Sequence, residues 1–442
     1  MLAMSAILIT VAMATLDIAV ANTALPTIAA DLNASAAASV WVVNAYQLAV
    51  VATLLPLAAL GEIIGPRRVY LAGIVVFSVA SVVCALAWSL PSLTLARVAQ
   101  GLGASGVMSV NAALIRFIYP AHRLGRGIGL NAMVVAISTA IGPTVASGIL
   151  AVANWPWLFA INLPFGLLAM AVGAKTLPRI VLTRGRFDGF GAALSAGLFG
   201  LLVIGVGAAA HADPPWQLAL EFGGAALCLA FLLRHQRGRS APMLPLDLFR
   251  RKMFALSSAT AFASFGAQGL AFVALPFLFQ TVLGHSQVET GLLMTPWPAL
   301  TACAVPLAGR LADRHSAALL CGVGLIALAA GLASLVLLPA APSALAIGWR
   351  MALCGAGFGF FQAPNQRALL SSAPPERSGG ASGIVALSRL MGQAIGAALV
   401  AACFSIAGGG GPTLALALGA GFSAVAAAAS FARIAVADTT RG

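Results

Sequence analysis

Runs of about twenty apolar residues recur along the whole chain, separated by short turns that carry nearly all of its charge. An α-helix rises about 1.5 Å per residue, so about 20 such residues cross a hydrocarbon layer of roughly 30 Å. Composition agrees with that reading. Of 442 residues, 61% are hydrophobic and 8% charged, whereas an ordinary globular domain is roughly a quarter charged. The mean hydropathy is +1.00. A water-soluble surface cannot be built from these residues, and the expected fold class is an all-α polytopic membrane protein.

The formal net charge of +13 raises nucleic acid as a partner, but basic residues bind phosphate only as a continuous patch or a reading module. Here they fall in short turns, so no nucleic acid is expected. The six cysteines, Cys84, Cys228, Cys303, Cys321, Cys354 and Cys403, are isolated within apolar runs, without the paired spacing of a metal or redox site. They read as small packing residues. No Lys or Arg precedes the first apolar run, which therefore reads as a span and not as a cleaved signal peptide.

Cutting the chain at charged, Pro-rich and Gly-rich breaks gives fourteen candidate spans: 4–24, 40–60, 69–88, 92–114, 127–151, 157–174, 188–209, 215–233, 253–275, 290–308, 317–338, 343–364, 380–403 and 412–433. Positive charge tests the cut independently, since Lys and Arg are retained on the cytoplasmic side. With both termini inside, 21 of the 24 basic residues fall in inner turns, at 67–68, 116–126, 175–186, 234–252, 310–314, 367–377 and 433–441. The outer turns hold none. The remaining three, Arg97, Arg350 and Arg389, fall within spans.

The chain also resembles itself. ALP at 24–26 recurs at 274–276, and the turn ALGEIIGPRR (59–68) has a partner in GRLADRHS (309–316). Arg97 with VAQGLGASG has a partner in Arg350 with MALCGAGFG. The offsets are 250, 251 and 253. Two six-span halves follow, 1–175 and 253–442, with two inserted spans and a cytoplasmic linker in 176–252.

These motifs carry a resemblance to a known family, the major facilitator superfamily, and within it to the fourteen-span drug/proton antiporter branch. LDIAVANTALP (16–26) resembles that branch's first-helix motif, SVWVVNAYQL (39–48) the start of its second helix, and LGEIIGPRR (60–68) the superfamily's loop motif. RVAQGLGASG (97–106) is similar to the fourth-helix motif, STAIGPTVASG (138–148) to the antiporter motif of helix five, and NWPWLFAINLPFG (154–166) to the start of helix six. The loop motif departs from the usual pattern at Glu62 and Ile63, and the helix-five motif at Ser138 and Ser147, where glycine is common. The resemblance implies two six-helix bundles with two inserted helices and proton-coupled efflux by alternating access. It also implies a role for the fourth-helix arginine, Arg97, in proton coupling.

The residues add their own argument. Asp17 lies 13 residues along an outward span and Arg97 five residues into an inward one, which puts them roughly 20 Å from the inner face and 8 Å below the outer face. They share nearly one level. An acid in lipid costs several kcal/mol unless paired or hydrated, and its proton affinity changes with its partner and solvation. Asp17 is therefore the candidate proton carrier and Arg97 the charge that tunes it, the alternative being a static ion pair between two helices. Asn44, Gln47, Gln100, Asn111, Gln268, Arg350, Gln362 and Asn365, with Trp297 as an aromatic wall, are candidates for a substrate cavity or for helix-to-helix hydrogen bonds. Gly142 and Pro143 interrupt helix five. Glu62, Arg67, Arg68, Asp313 and Arg314 lie in inner turns, either as a gate whose pairs differ between states or as solvated loops. Glu221, about six residues into the second inserted span, reads either as part of a cation path or as an outer-interface residue.

The leading expectation is a monomeric, proton-driven exporter of small amphipathic toxic compounds in the cytoplasmic membrane of a bacterium. The other is an exporter of a specific metabolite, amino acid derivative, antibiotic or siderophore. An enzyme is not expected: the five histidines, His122, His211, His235, His285 and His315, lie in turns and form no convergent set. No cofactor is implied, and no GxxxxGK[ST] loop offers ATP as a power source. The expected partners are a small-molecule substrate, protons and the lipid bilayer.

Overall fold

The computed structural model describes residues 2–120, 124–178, 187–210, 214–236, 246–312, 314–339, 341–373 and 378–439. Among them every regular element is helical. The chain forms two compact units, Met1–Gly238 and Arg239–Gly442. In the first, α1 (Leu2–Asp31), the single turn α2 (Ala36–Ser39) and α3 (Trp41–Ile64) are followed by α4 (Pro66–Ala85), α5 (Leu90–Ile118) and α6 (Leu124–Leu150). A further turn, α7 (Trp157–Ala160), then leads through α8 (Asn162–Thr176) to α9 (Gly189–Ala210) and α10 (Pro215–Gln236). The second unit comprises α11 (Lys252–Phe277), α12 (Gln287–Met294), α13 (Pro296–Leu311), α14 (Ala317–Val336), α15 (Ala344–Ser371), α16 (Ser378–Ala407) and α17 (Gly411–Thr439).

Twelve stretches among the described residues are long and apolar enough to cross a bilayer, and a bent pair within α6 makes thirteen. One of the twelve, Gly383–Ala435, is 53 residues long, and as a single helix would extend roughly 80 Å. It is two helices, α16 and α17, joined by a 3-10 turn at Gly408–Gly410 in which Gly408 takes a φ of 51° that a side chain would resist.

Each unit repeats one packing scheme. In the first, α5 packs against α3 and α4, and α1 against α6 and α8. In the second, α15 packs against α13 and α14, and α11 against α16 and α17. Helices α9 and α10 pack on each other, and α9 packs on α3 of the same unit. Matching serines begin the two arginine-bearing helices: Ser89 Oγ accepts from Ser92 N at 3.3 Å ahead of α5, and Ser343 Oγ from Ala346 N at 3.2 Å ahead of α15. Each satisfies an amide that a helix start leaves open.

Several sequence expectations change: Glu62 lies within α3, Arg67 and Arg68 within the first turn of α4 and Arg116 in the last turn of α5, where turns were expected. Arg433, assigned to a terminal turn, is 1% exposed within α17; the apolar run continues beyond it and carries the helix with it. His235 lies in the last turn of α10, where its ring bonds Asp188 Oδ1 at 2.8 Å. Of the cysteines, four are buried, but Cys228 is half-buried and Cys303 exposed, so only part of the set packs as a core. His122, His211 and Asp313 lie outside the described residues.

Candidate functional site

Asp17 sits midway along α1 and is 2% exposed. Its Oδ2 accepts from Arg97 Nη1 in a buried ion pair. Its Oδ1 accepts from Gln100 Nε2 at 2.7 Å and Asn162 Nδ2 at 2.8 Å. All three partners donate, which is the pattern an ionised carboxylate requires. Charge-assisted bonds of this kind are about twice as strong as neutral ones.

The partners are held in turn. Arg97 and Gln100, one helical turn apart on α5, both face α1, and Arg97 Nη1 also donates to Gln100 Oε1 at 2.5 Å. Gln100 Nε2 donates to Ser81 Oγ on α4 at 2.8 Å, and Cys84 Sγ contacts Gln100 Oε1 at 3.6 Å. Arg97 Nε donates to the carbonyl of Val42 on α3 at 3.1 Å. The guanidinium carbon lies 4.4 Å from the Tyr46 ring centroid and 5.4 Å from that of Phe159, both cation–π contacts. One charge pair thus gathers side chains or backbone from α1, α3, α4, α5, α7 and α8. Close approach makes this feasible: a Cβ on Gly101 would stand 2.5 Å from Tyr46 O, and one on Gly103 2.4 Å from Phe77 N. These glycines of the RVAQGLGASG stretch let α5 touch the backbones of α3 and α4.

Beside the cluster, Asn22 on α1 and Asn44, Tyr46 and Gln47 on α3 are buried, and the Asn22 Oδ1, Asn44 Oδ1, Gln47 Oε1 and Tyr46 hydroxyl have no hydrogen-bond partner among the described residues. Buried polar atoms are otherwise almost always bonded, so this part of α1 and α3 has unused acceptors. Asn111 is half-buried and donates to Asn131 Oδ1 on α6 at 3.0 Å, linking α5 to α6.

The second unit keeps the arginine but not the acid. Gln268, one repeat of 251 residues after Asp17, accepts from Gln393 Nε2 at 3.0 Å. Arg350 turns to backbone, donating to Ser334 O at 3.1 Å and Ala346 O at 2.6 Å, with its guanidinium 4.4 Å above the Trp349 ring. Trp297 is fully buried, edge-on to Phe272, with its indole N–H unpartnered among the described residues. Asn365 belongs to a separate group: Nδ2 donates to Ser257 O at 3.1 Å, and Oδ1 accepts from Arg433 Nη1 at 2.8 Å. Gln362 is half-buried and joins neither group.

Among the expected gate residues, Glu62 and Arg68 are exposed, and no ion pair joins them among the described residues. Arg67 Nη2 donates to Ala174 O at 2.5 Å, capping the last turn of α8. Arg314 is exposed in a turn. Gly142 lies against α1, where an added Cβ would stand 2.4 Å from Ala19 Cβ. Helix α6 bends by 41° between Met133–Thr139 and Ile141–Leu150. Pro143 explains the position, because its ring removes the bond to the carbonyl four residues earlier, that of Thr139. On α10, Glu221 is 9% exposed, and its Oε1 accepts from Gln217 Nε2 at 3.4 Å while Oε2 has no partner among the described residues.

Asn162, Ser81, Tyr46 and Arg433 were not singled out from sequence. Asn162 stood in NWPWLFAINLPFG, and an amide inside an apolar run was its one available signal.

Residues 7–397 match the family described as Major Facilitator Superfamily. The chain is 50% identical over 430 residues to the uncharacterized transporter YebQ of Escherichia coli, covering 97% of this chain and 94% of that protein. It is 30% identical to the riboflavin transporter RibZ of Clostridioides difficile, over 90% of this chain and 87% of that one. It is 34% identical to the multidrug resistance protein Stp of Mycobacterium tuberculosis, over 87% and 72%. Among solved structures, a POT family transporter in complex with a thioalcohol-conjugated peptide aligns over 96% of this chain and 94% of its own, with a TM-score of 0.72 at 14% identity. At that identity the likeness concerns the fold alone. With its helical units and these matches, the chain is a membrane transporter and not an enzyme, and it belongs to the major facilitator superfamily.

Proposed function

We propose that this protein is a proton-coupled antiporter of the fourteen-span drug branch, exporting small amphipathic compounds by alternating access. The observation that carries the reading is the buried Asp17 carboxylate with its three donors, Arg97, Gln100 and Asn162. Protonation of Asp17 cancels the charge that Arg97 pairs with and puts an O–H where only donors point. The guanidinium must then find other acceptors or water, which favours a different arrangement of α1 and α5. Cargo and proton exchange through that rearrangement.

In this reading the unpartnered oxygens of Asn22, Asn44 and Gln47 contribute to the cargo path, and Gln268, Trp297, Arg350, Gln362 and Asn365 are its candidates in the second half. Arg67, held on the last turn of α8, is a gate candidate of the first unit with Glu62 and Arg68, as Asp313 and Arg314 are of the second. The bend at Gly142 and Pro143 is where α6 rocks on α1. The working unit is a monomer of two six-helix bundles, 1–175 and 253–442, with the inserted pair in 176–252. Both termini face the cytoplasm of a bacterium, as the distribution of Arg and Lys supports. Drug efflux gains support from the multidrug resistance protein Stp, and the narrower reading, a specific metabolite, from the riboflavin transporter RibZ.

The test is transport by purified protein in vesicles under an imposed pH gradient, with a screen of dyes, biocides, antibiotics and riboflavin. Uphill movement that collapses with the gradient supports antiport. Gradient-independent equilibration refutes it, and the compound list separates the two cargo readings.

A further inference from the structure

Three arginines of the second unit are wholly or partly buried within its long helices among the described residues: Arg350, Arg389 and Arg433. Two are satisfied by the protein. Arg350 bonds the carbonyls of Ser334 and Ala346. Arg433 donates through Nη1 to Ser257 Oγ at 3.0 Å and Asn365 Oδ1 at 2.8 Å, and through Nη2 to Ser430 Oγ at 2.5 Å.

Arg389 differs from both. It is half-buried on α16, and among the described residues no acceptor and no acid lies against it. It stands 11 residues from the start of α16 and 18 from its end, roughly 16 and 27 Å along the axis. That is further than its side chain reaches, so its charge stays within the length of the helix. A cation with no protein partner among the described residues is best accommodated where it faces a hydrated or ligand-bearing space. One turn further along the same face, Gln393 donates to Gln268 on α11 at 3.0 Å. A second polar group therefore accompanies the guanidinium.

We propose that Arg389 receives an anionic group of the transported compound, and that this cargo carries a free carboxylate. The guanidinium fork matches the two oxygens of a carboxylate in one plane. Unlike Arg97, which the protein has already neutralised, Arg389 has its charge available. The inference rests on the transporter reading and narrows it to acidic amphipathic compounds.

Purified full-length protein in detergent is titrated with rhodamine B, which has a free carboxylate, and with its ethyl ester, which has the same rings and cation but no acid; binding is followed by fluorescence polarisation. The wild type is expected to bind the acid more tightly than the ester. R389Q is expected to weaken the acid by roughly tenfold or more while leaving the ester unchanged, and R389K, which keeps the charge without the fork, to fall between. Melting of R389Q is expected to match the wild type, because no group among the described residues loses a partner. Equal binding of acid and ester by the wild type overturns the assignment, as does unchanged acid binding in R389Q and R389K. Acid-selective, Arg389-dependent binding in a protein that moves no dye under a pH gradient supports the assignment and counts instead against antiport.

Discussion

At the scale of the residue, Asp17 and Arg97 form a buried ion pair in the first unit. Truncating Asp17 to Ala leaves Arg97 enclosed without its carboxylate, which costs about 3–5 kcal/mol for a buried pair. A clear fall in the melting temperature of detergent-purified protein is the expected result. The double variant D17L/R97M removes both charges, and should recover most of that loss while transport stays abolished. If it recovers transport as well, the pair is only a brace. Asp17 and Arg97 were legible in the sequence because charges are rare in apolar runs and helical rise fixes their depth. Gln100, a candidate for the cavity or for a helix-to-helix hydrogen bond, is fully buried and bonded to Asp17, Arg97 and Ser81. Asn162 was missed for a physical reason: α8 is apolar all round, so its sequence does not mark the face that meets α1.

At the scale of the element, glycine and proline decide how near helices come and where they bend. Replacing Gly101 with Val must push α5 away from α3, since even a Cβ would stand 2.5 Å from Tyr46 O. Overpacking of this kind costs about 1–3 kcal/mol. It should also stretch the Arg97 to Val42 bond, so thermal stability and transport are expected to fall together. Pro143→Ala restores a donor for the Thr139 carbonyl and should straighten α6. The expected outcome is slower transport with cargo binding intact, read by comparing initial rates with equilibrium binding. Helix existence and order were legible from the apolar runs. The ends were less so, because an apolar run does not stop where the helix packing stops, as Arg433 illustrates.

At the scale of the molecule, two units share one packing scheme but not one charge pattern. The repeat was legible as three short matches at nearly constant offset, and the contacts of α1, α3, α4, α5, α6 and α8 recur in α11, α13, α14, α15, α16 and α17. What the repeat could not convey is that Gln268 and Arg350 would separate, the amide to Gln393 and the arginine to backbone. Side-chain partners depend on neighbours far apart in sequence. The orientation read from Arg and Lys is testable by fusing a fluorescent reporter or a phosphatase to the C-terminus, with fluorescence and no phosphatase activity expected.

The most direct measurement follows protons. In vesicles holding a pH-sensitive dye, addition of a transported compound is expected to drive proton movement through the wild type and none through D17N, although D17N still binds the compound. Equal, compound-dependent proton flux in D17N would contradict the account.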